Sequence, residues 1–260
     1  IKFNYTNYFK KKGVYQINFE DLGSGTNNVN LVFNEIYENN KLNSKNFLFG
    51  SRYVCLRDEF YWTEPKTFED KVKTIFICFG GTDQHNLTCR ILKIISSKCI
   101  KNNIKINVVC GPGYKYQDEL EKFKITEKKL NLSIIKVTNK ISKYMQLADL
   151  ALIAAGRIVY ELTAMHVPSI VICSNKRETT HDFASIKNGI LNMGLHSKIS
   201  SKSLLRVFVK IVDDRENRYA LHKKIKRHNL KKSKFRVINK IRDLIMKSKR
   251  RHYLNEKYKD

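Results

Sequence analysis

Between residues 75 and 173 the chain alternates short, wholly apolar runs with longer stretches whose apolar residues recur every three or four positions. IFICF (75–79) ends in Gly80-Gly81-Thr82-Asp83, after which Leu87, Ile91, Ile94 and Ile95 share one helical face. IKINVVC (104–110) ends in Gly111-Pro112-Gly113 and precedes a charged helical stretch from about 116 to 129. LSIIKV (132–137) reads as a strand and ISKYMQLA (141–148) as a short helix. DLALIA (149–154) runs through Ala155-Gly156-Arg157 into a helix ending near Met165. PSIVIC (168–173) is a further strand, and residues from about 179 to 192 read as helix. Unbroken apolar strands separated by helices predict a parallel sheet covered on both faces. The expectation is therefore an α/β fold, with one Rossmann-like, doubly wound domain of five strands over 75–200. Residues 201–260 read as two helices, their apolar faces marked by VFVKIV and RVINKIRDLIM, and a basic tail.

Residues 1–60 follow a different pattern. VYQIN (14–18) and VNLVFN (29–34) are strand-like and flank the turn-rich FEDLGSGTNN. FLFGSRYVCLRDEF (47–60) then leads into a linker over 61–74. Two or three strands with so little helix cannot cover themselves, so this segment reads as the tail end of a first α/β domain whose beginning is absent. Residue 1 is Ile rather than Met, as expected of a processed or truncated product.

Charge modifies this picture less than its size suggests. The formal net charge is +26, but residues 1–70 hold 9 basic and 9 acidic side chains, whereas residues 201–260 hold 21 and 6. The chain is also rich in Lys, Asn and Ile, as an AT-biased coding sequence would make it. The excess is read as solvated helix faces and a tail rather than as a nucleic-acid site, although such a patch attracts phosphate backbones nonspecifically. The six cysteines show no C-x-x-C spacing and read as free thiols of a reducing, cytoplasmic compartment. No apolar run approaches the roughly 20 residues of a membrane span. No His/Cys/carboxylate spacing suggests a metal, and no cofactor is expected.

Ligands of doubly wound sheets bind beyond the carboxyl ends of the strands. Glycine there lets the backbone approach a phosphate, and the next helix offers free N–H groups and the positive end of its dipole. The junctions at 80–83 and 155–157 have this form, without a dinucleotide fingerprint or a Walker sequence. Arg157 stands in a first helical turn, where the dipole disfavours a cation, so a bound anion would account for it. Glu161, one turn on, suits either an ion pair with Arg157 or the two hydroxyls of a ribose. His85 and His181 follow loops and are further candidates.

GGTDQHNLT, AAGRIVYELTAMHVPSIVI and SNKRETTH resemble the PseG-type nucleotide-sugar hydrolases, which also occur fused to acylneuraminate cytidylyltransferases. INFEDLGSG and GSRYVCLRDEF resemble the stretch that closes the first domain of that family, so the likeness spans roughly residues 14 to 245. It implies the C-terminal half of a glycosyltransferase-B fold, with UDP-sugar as ligand and a fused or separate cytidylyltransferase as partner. Gly80, Gly81, Thr82, Asp83, Ala155, Gly156 and Arg157 would face the diphosphate. Glu161 would hold the ribose, and Asn175, with Glu178 and His181, would reach towards the sugar. The implied reaction is hydrolysis of the sugar–UDP bond on the route to pseudaminic-type acids of surface polysaccharides. The family's Gly-x-Gly-His-type motif, which carries the expected general base, is absent from this sequence and is expected ahead of residue 1. Two other readings stay open: a glycosyltransferase of the same superfold, and a non-catalytic nucleotide-sugar-binding remnant.

Overall fold

The computed structural model describes residues 1–36 and 46–257, so the end of the basic tail, 258–260, lies outside the described residues. The chain forms two compact units, one of residues 1–55 with 230–260 and one of residues 56–229.

In the first unit, α1 (Phe3–Lys11) precedes three parallel strands, β1 (Ile17–Phe19), β2 (Leu31–Asn34) and β3 (Phe47–Phe49), in spatial order β1-β2-β3. The register pairs Ile17 with Leu31 and Val32 with Phe47. Successive residues of a strand face opposite ways. In β2 Val32 packs with Val29 and Phe47, while Phe33 packs with Tyr53 and Val237, so this central strand is buried on both faces. The period-two reading assigns no element to residues 3–11. They form α1 because Thr6 anchors the helix, its hydroxyl donating to Gly25 O at 2.9 Å.

The second unit starts with the short helix α2 (Glu59–Trp62) and holds six parallel strands. They are β4 (Thr74–Cys78), β5 (Lys105–Cys110), β6 (Leu132–Lys136), β7 (Leu150–Ile153), β8 (Ser169–Cys173) and β9 (Ile190–Leu195). Their order is β6-β5-β4-β7-β8-β9. The helices between them are α3 (Leu87–Lys101), α4 (Gln117–Thr126), α5 (Ile141–Gln146) and α6 (Ile158–Ala164), and α7 (Ser201–Asp213) and α8 (Arg215–Lys226) follow β9. Ile75 and Ile77 of β4 enter a core shared with Leu92 and Ile95 of α3 and Phe208 of α7. Phe76, between them in sequence, is fully buried as well. A parallel sheet in an α/β fold is what the apolar runs predict.

Two expectations need correction. Residues 179–192 are not a helix: they make two short 3-10 turns and then enter β9, a sixth strand. Gly189 at φ +87° takes the left-handed conformation that stops the turn, and β9 lies at the sheet edge, where only Ile190 is fully buried. The C-terminal segment has three helices rather than two. Asp214 ends α7 and caps α8, its side chain accepting from Asn217 N at 2.9 Å. Arg218 of α8 is 1 % exposed and donates to the carbonyls of Ile211, Val212 and Asp70 at 2.5–3.1 Å. That guanidinium ties α7 and α8 to residues 69–70, so 201–229 belong to the second unit. The last helix, α9 (Ser233–Lys257), instead packs Val237 onto Phe33 and Tyr53 in the first unit.

Candidate functional site

The chain winds from β4 outward to β6, returns to the other side of β4 with β7, and continues to β9. The strand order therefore reverses between β4 and β7, and in such sheets the crevice at this switch point takes the ligand. A cavity of about 390 Å³ opens there. It is lined by Gly80, Gly81, Thr82 and Asp83 after β4, by Gly156 and Arg157 after β7, and by Ser174, Asn175 and Glu178 after β8. A Cβ built on Gly80, Gly81 or Gly156 would meet nothing within 4 Å, so at all three the bare backbone borders open space. Gly80 also takes φ +80°, which favours glycine. Gly111 differs: its Cβ would stand 2.4 Å from Gly81 Cα. Gly113 N donates to Gly81 O at 2.9 Å. The Gly111-Pro112-Gly113 turn thus supports the Gly80-Gly81 loop from behind.

Two carboxylates shape the cavity floor. Asp83, 4 % exposed, accepts from Leu87 N at 2.8 Å and Thr88 N at 2.9 Å. It already occupies N–H groups at the start of α3, so its loop lines the cavity while its charge is spent on the helix. Glu178 Oε2 accepts from Ser174 N at 2.7 Å and Ala155 N at 3.2 Å, which joins the ends of β8 and β7. Its Oε1 accepts from Asn175 Nδ2 at 3.2 Å, and its own N–H donates to Asn175 Oδ1 at 3.1 Å. Arg157 lines the same space as the residue that begins α6.

Ala155, Glu161 and His181 do not line the cavity. The ion pair of Glu161 is with Arg57, whose Nε stands 3.1 Å from Oε1, while Arg57 Nη1 reaches Glu59 Oε1 at 3.2 Å. Burial pushes the Glu161 carboxyl above its usual range; the Arg57 charge and hydrogen bond, and more weakly Arg157, pull it back. His181 is 2 % exposed and packs its ring 5.1 Å from Tyr160. Burial lowers its pKa to about 4, against an opposing backbone hydrogen bond with Gly156. It therefore lies beneath the Gly156 turn as a neutral ring. Of the two histidines singled out in the sequence, His85 is the one that reaches the cavity, stacked 4.2 Å from His196. Phe79, Gln84, Ala154, Ile158 and Ser174 also line it, each one or two residues from a glycine junction or a strand end. Arg57, 104 residues from Glu161, had no sequence signal. Among the described residues no group of three or more metal-ligating side chains gathers, and no helix is long and apolar enough to cross a membrane.

The chain is 32% identical over 144 residues to the uncharacterized protein MJ1062 of Methanocaldococcus jannaschii, covering 53% of this chain and 29% of that one. It is 24% identical over 176 residues to the spore coat polysaccharide biosynthesis protein SpsG of Bacillus subtilis, covering 67% and 51%. It is 30% identical over 129 residues to the UDP-2,4-diacetamido-2,4,6-trideoxy-beta-L-altropyranose hydrolase of Campylobacter jejuni, covering 50% and 44%. The chain thus spans about half the length of these relatives, or less. Among solved structures, Acinetobacter baumannii MurG superposes with a TM-score of 0.63 at 13% identity, over 92% of this chain and 70% of that one, a likeness of fold. With residues 74–241 matching the glycosyltransferase family 28 C-terminal domain, from β4 into α9, the chain belongs to that family and carries a glycosyltransferase-B-type fold.

Proposed function

We propose that the cavity at the β4/β7 switch point binds the diphosphate of a UDP-sugar, and that the chain is the nucleotide-binding part of a PseG-type hydrolase. The observation that carries this reading is the pair of bare backbones, Gly80-Gly81 and Gly156, facing one cavity with Arg157 on its wall. A diphosphate fits between them, because no side chain blocks its approach and Arg157 supplies the opposite charge. Glu161, one turn along α6, is the ribose ligand of this reading. In the reaction, water attacks the anomeric carbon, the bond from that carbon to the diphosphate oxygen breaks, and UDP leaves. Backbone N–H groups and Arg157 stabilise the charge that develops on the leaving phosphate. The general base is expected from a Gly-x-Gly-His-type motif outside this sequence, and the sugar is a 2,4-diacetamido-trideoxy sugar by resemblance to the Campylobacter enzyme.

The family 28 match supports a second reading, in which the same cavity serves transfer of the sugar to an acceptor. UDP release from a UDP-sugar, followed with and without candidate acceptors in the full-length protein, separates the two. A hydrolase releases UDP at an acceptor-independent rate, whereas a transferase does so only slowly until an acceptor is added. Absence of UDP binding in a folded protein sinks both.

A further inference from the structure

Helix α9 has more apolar surface than the first unit buries. Val237 is 3% exposed and Ile241 packs beside it, but Phe235, Ile238, Ile245 and Met246 are 61%, 46%, 48% and 58% exposed. At about 100° per residue these four fall in one sector beside the buried stripe, not scattered round the helix. The surroundings are cationic: residues 230–251 contain ten Lys or Arg and a single acid, Asp243. Arg236, Lys240, Arg242 and Lys247 are exposed. A second element of the same unit extends the surface, because Leu244 of α9 lines one cavity of about 410 Å³ together with Lys10, Val14 and Tyr15. Val14 and Tyr15 are each 48% exposed, and Lys10, Lys11 and Lys12 end α1 with no acidic residue before Glu20.

We infer that this face of the first unit docks on an anionic lipid surface, with the exposed apolar sector of α9 at the headgroup boundary and the flanking cations on lipid phosphates. An apolar stripe bordered by Lys and Arg is the pattern by which helices lie in a membrane interface, where long basic side chains reach outward to headgroups. The alternatives fit less well. Nucleic acid satisfies the cations but offers nothing to Ile238, Ile245 and Met246. A second copy meets the apolar sector but sets two strongly basic faces against each other, which repels. The inference is independent of the cavity in the second unit.

The test is co-sedimentation of the full-length protein with vesicles of phosphatidylcholine alone or mixed with phosphatidylglycerol, at low and high salt. The comparison includes Ile245→Glu/Met246→Glu and Lys240→Gln/Arg242→Gln/Lys247→Gln. All five positions are exposed, so the variants are expected to fold, as melting curves check. Docking predicts binding to anionic vesicles only, weakened by salt, and reduced about tenfold or more by either set of substitutions. Three results overturn it: no binding to anionic vesicles, binding that the Glu substitutions leave unchanged, or a concentration-dependent dimer that the Glu substitutions dissolve. The second marks a mere polyanion site, and unchanged RNA binding by the Glu variant would accompany it.

Discussion

Replacing Asp83 separates a carboxylate that faces the ligand from one that holds the fold. Asp83→Ala removes two charge-assisted hydrogen bonds, of 2.8 and 2.9 Å, to backbone N–H groups of Leu87 and Thr88. Hydrogen bonds to charged groups contribute about 1.5–3 kcal/mol each, and loss of a helix cap typically costs about 0.5–2 kcal/mol. The two donors become partly solvated once the side chain is gone, so a net loss of about 2–4 kcal/mol is expected. Asp83 also sits at φ +41°, where alanine is strained by roughly 1 kcal/mol and asparagine is tolerated. Asp83→Asn therefore keeps the backbone and one acceptor, and should lose only about 1–2 kcal/mol. For a unit of this size each kcal/mol shifts the melting temperature by about 2–4 °C. Thermal melting by circular dichroism should thus rank wild type above Asp83→Asn, and Asp83→Ala about 6–12 °C below wild type. An Asp83→Ala protein that melts with wild type yet has lost UDP binding would refute the capping role and return Asp83 to the ligand.

The remaining predictions test other parts of the site. Gly111→Ala forces a Cβ against the backbone of Gly81 and should destabilise the protein by about 1–3 kcal/mol, read as a lower melting temperature. Gly156→Val, by contrast, meets open space, so it should leave melting within about 0.5 kcal/mol of wild type while weakening UDP at least tenfold by calorimetry. His181 has a folded pKa of about 4 against 6.5 in the unfolded chain, so its contribution is complete above pH 6.5 and is lost as the pH falls through 4. That loss amounts to about 3 kcal/mol, and a His181→Asn protein should show a shallower decline in urea midpoint over the same window. Burial already raises the pKa of Glu161, so its charge disfavours the unliganded fold at neutral pH. Glu161→Gln should accordingly melt no lower than wild type while its affinity for UDP falls about tenfold or more.

Legibility in the sequence followed burial. β4, β5, β7 and β8 read directly because nearly every residue in them is buried, which a parallel sheet requires. β9 escaped because an edge strand with Gly194 at φ +83° and half-exposed Leu191 and Met193 has no unbroken apolar run. α8 escaped because its inward face includes Arg218 and His222 beside Leu221 and Ile225, so hydrophobic periodicity is masked by buried polar groups. At the site, glycine at strand ends was a sufficient signal for the cavity walls. The task of Asp83 was hidden, since a side chain that caps donors four and five residues ahead depends on left-handed backbone at Asp83 and Asn86. The Arg57–Glu161 pair was invisible for another reason: tertiary packing alone brings its halves together.

The most direct measurement is titration calorimetry of the full-length protein with UDP, repeated with Glu161→Gln and Gly156→Val. The account predicts one site, with affinity in the range of about 1 μM to 1 mM usual for substrates, and at least tenfold weakening in each variant while melting is preserved. A folded protein that gives no heat with UDP, or binds it equally well in both variants, would contradict the assignment of the β4/β7 cavity to a nucleotide sugar.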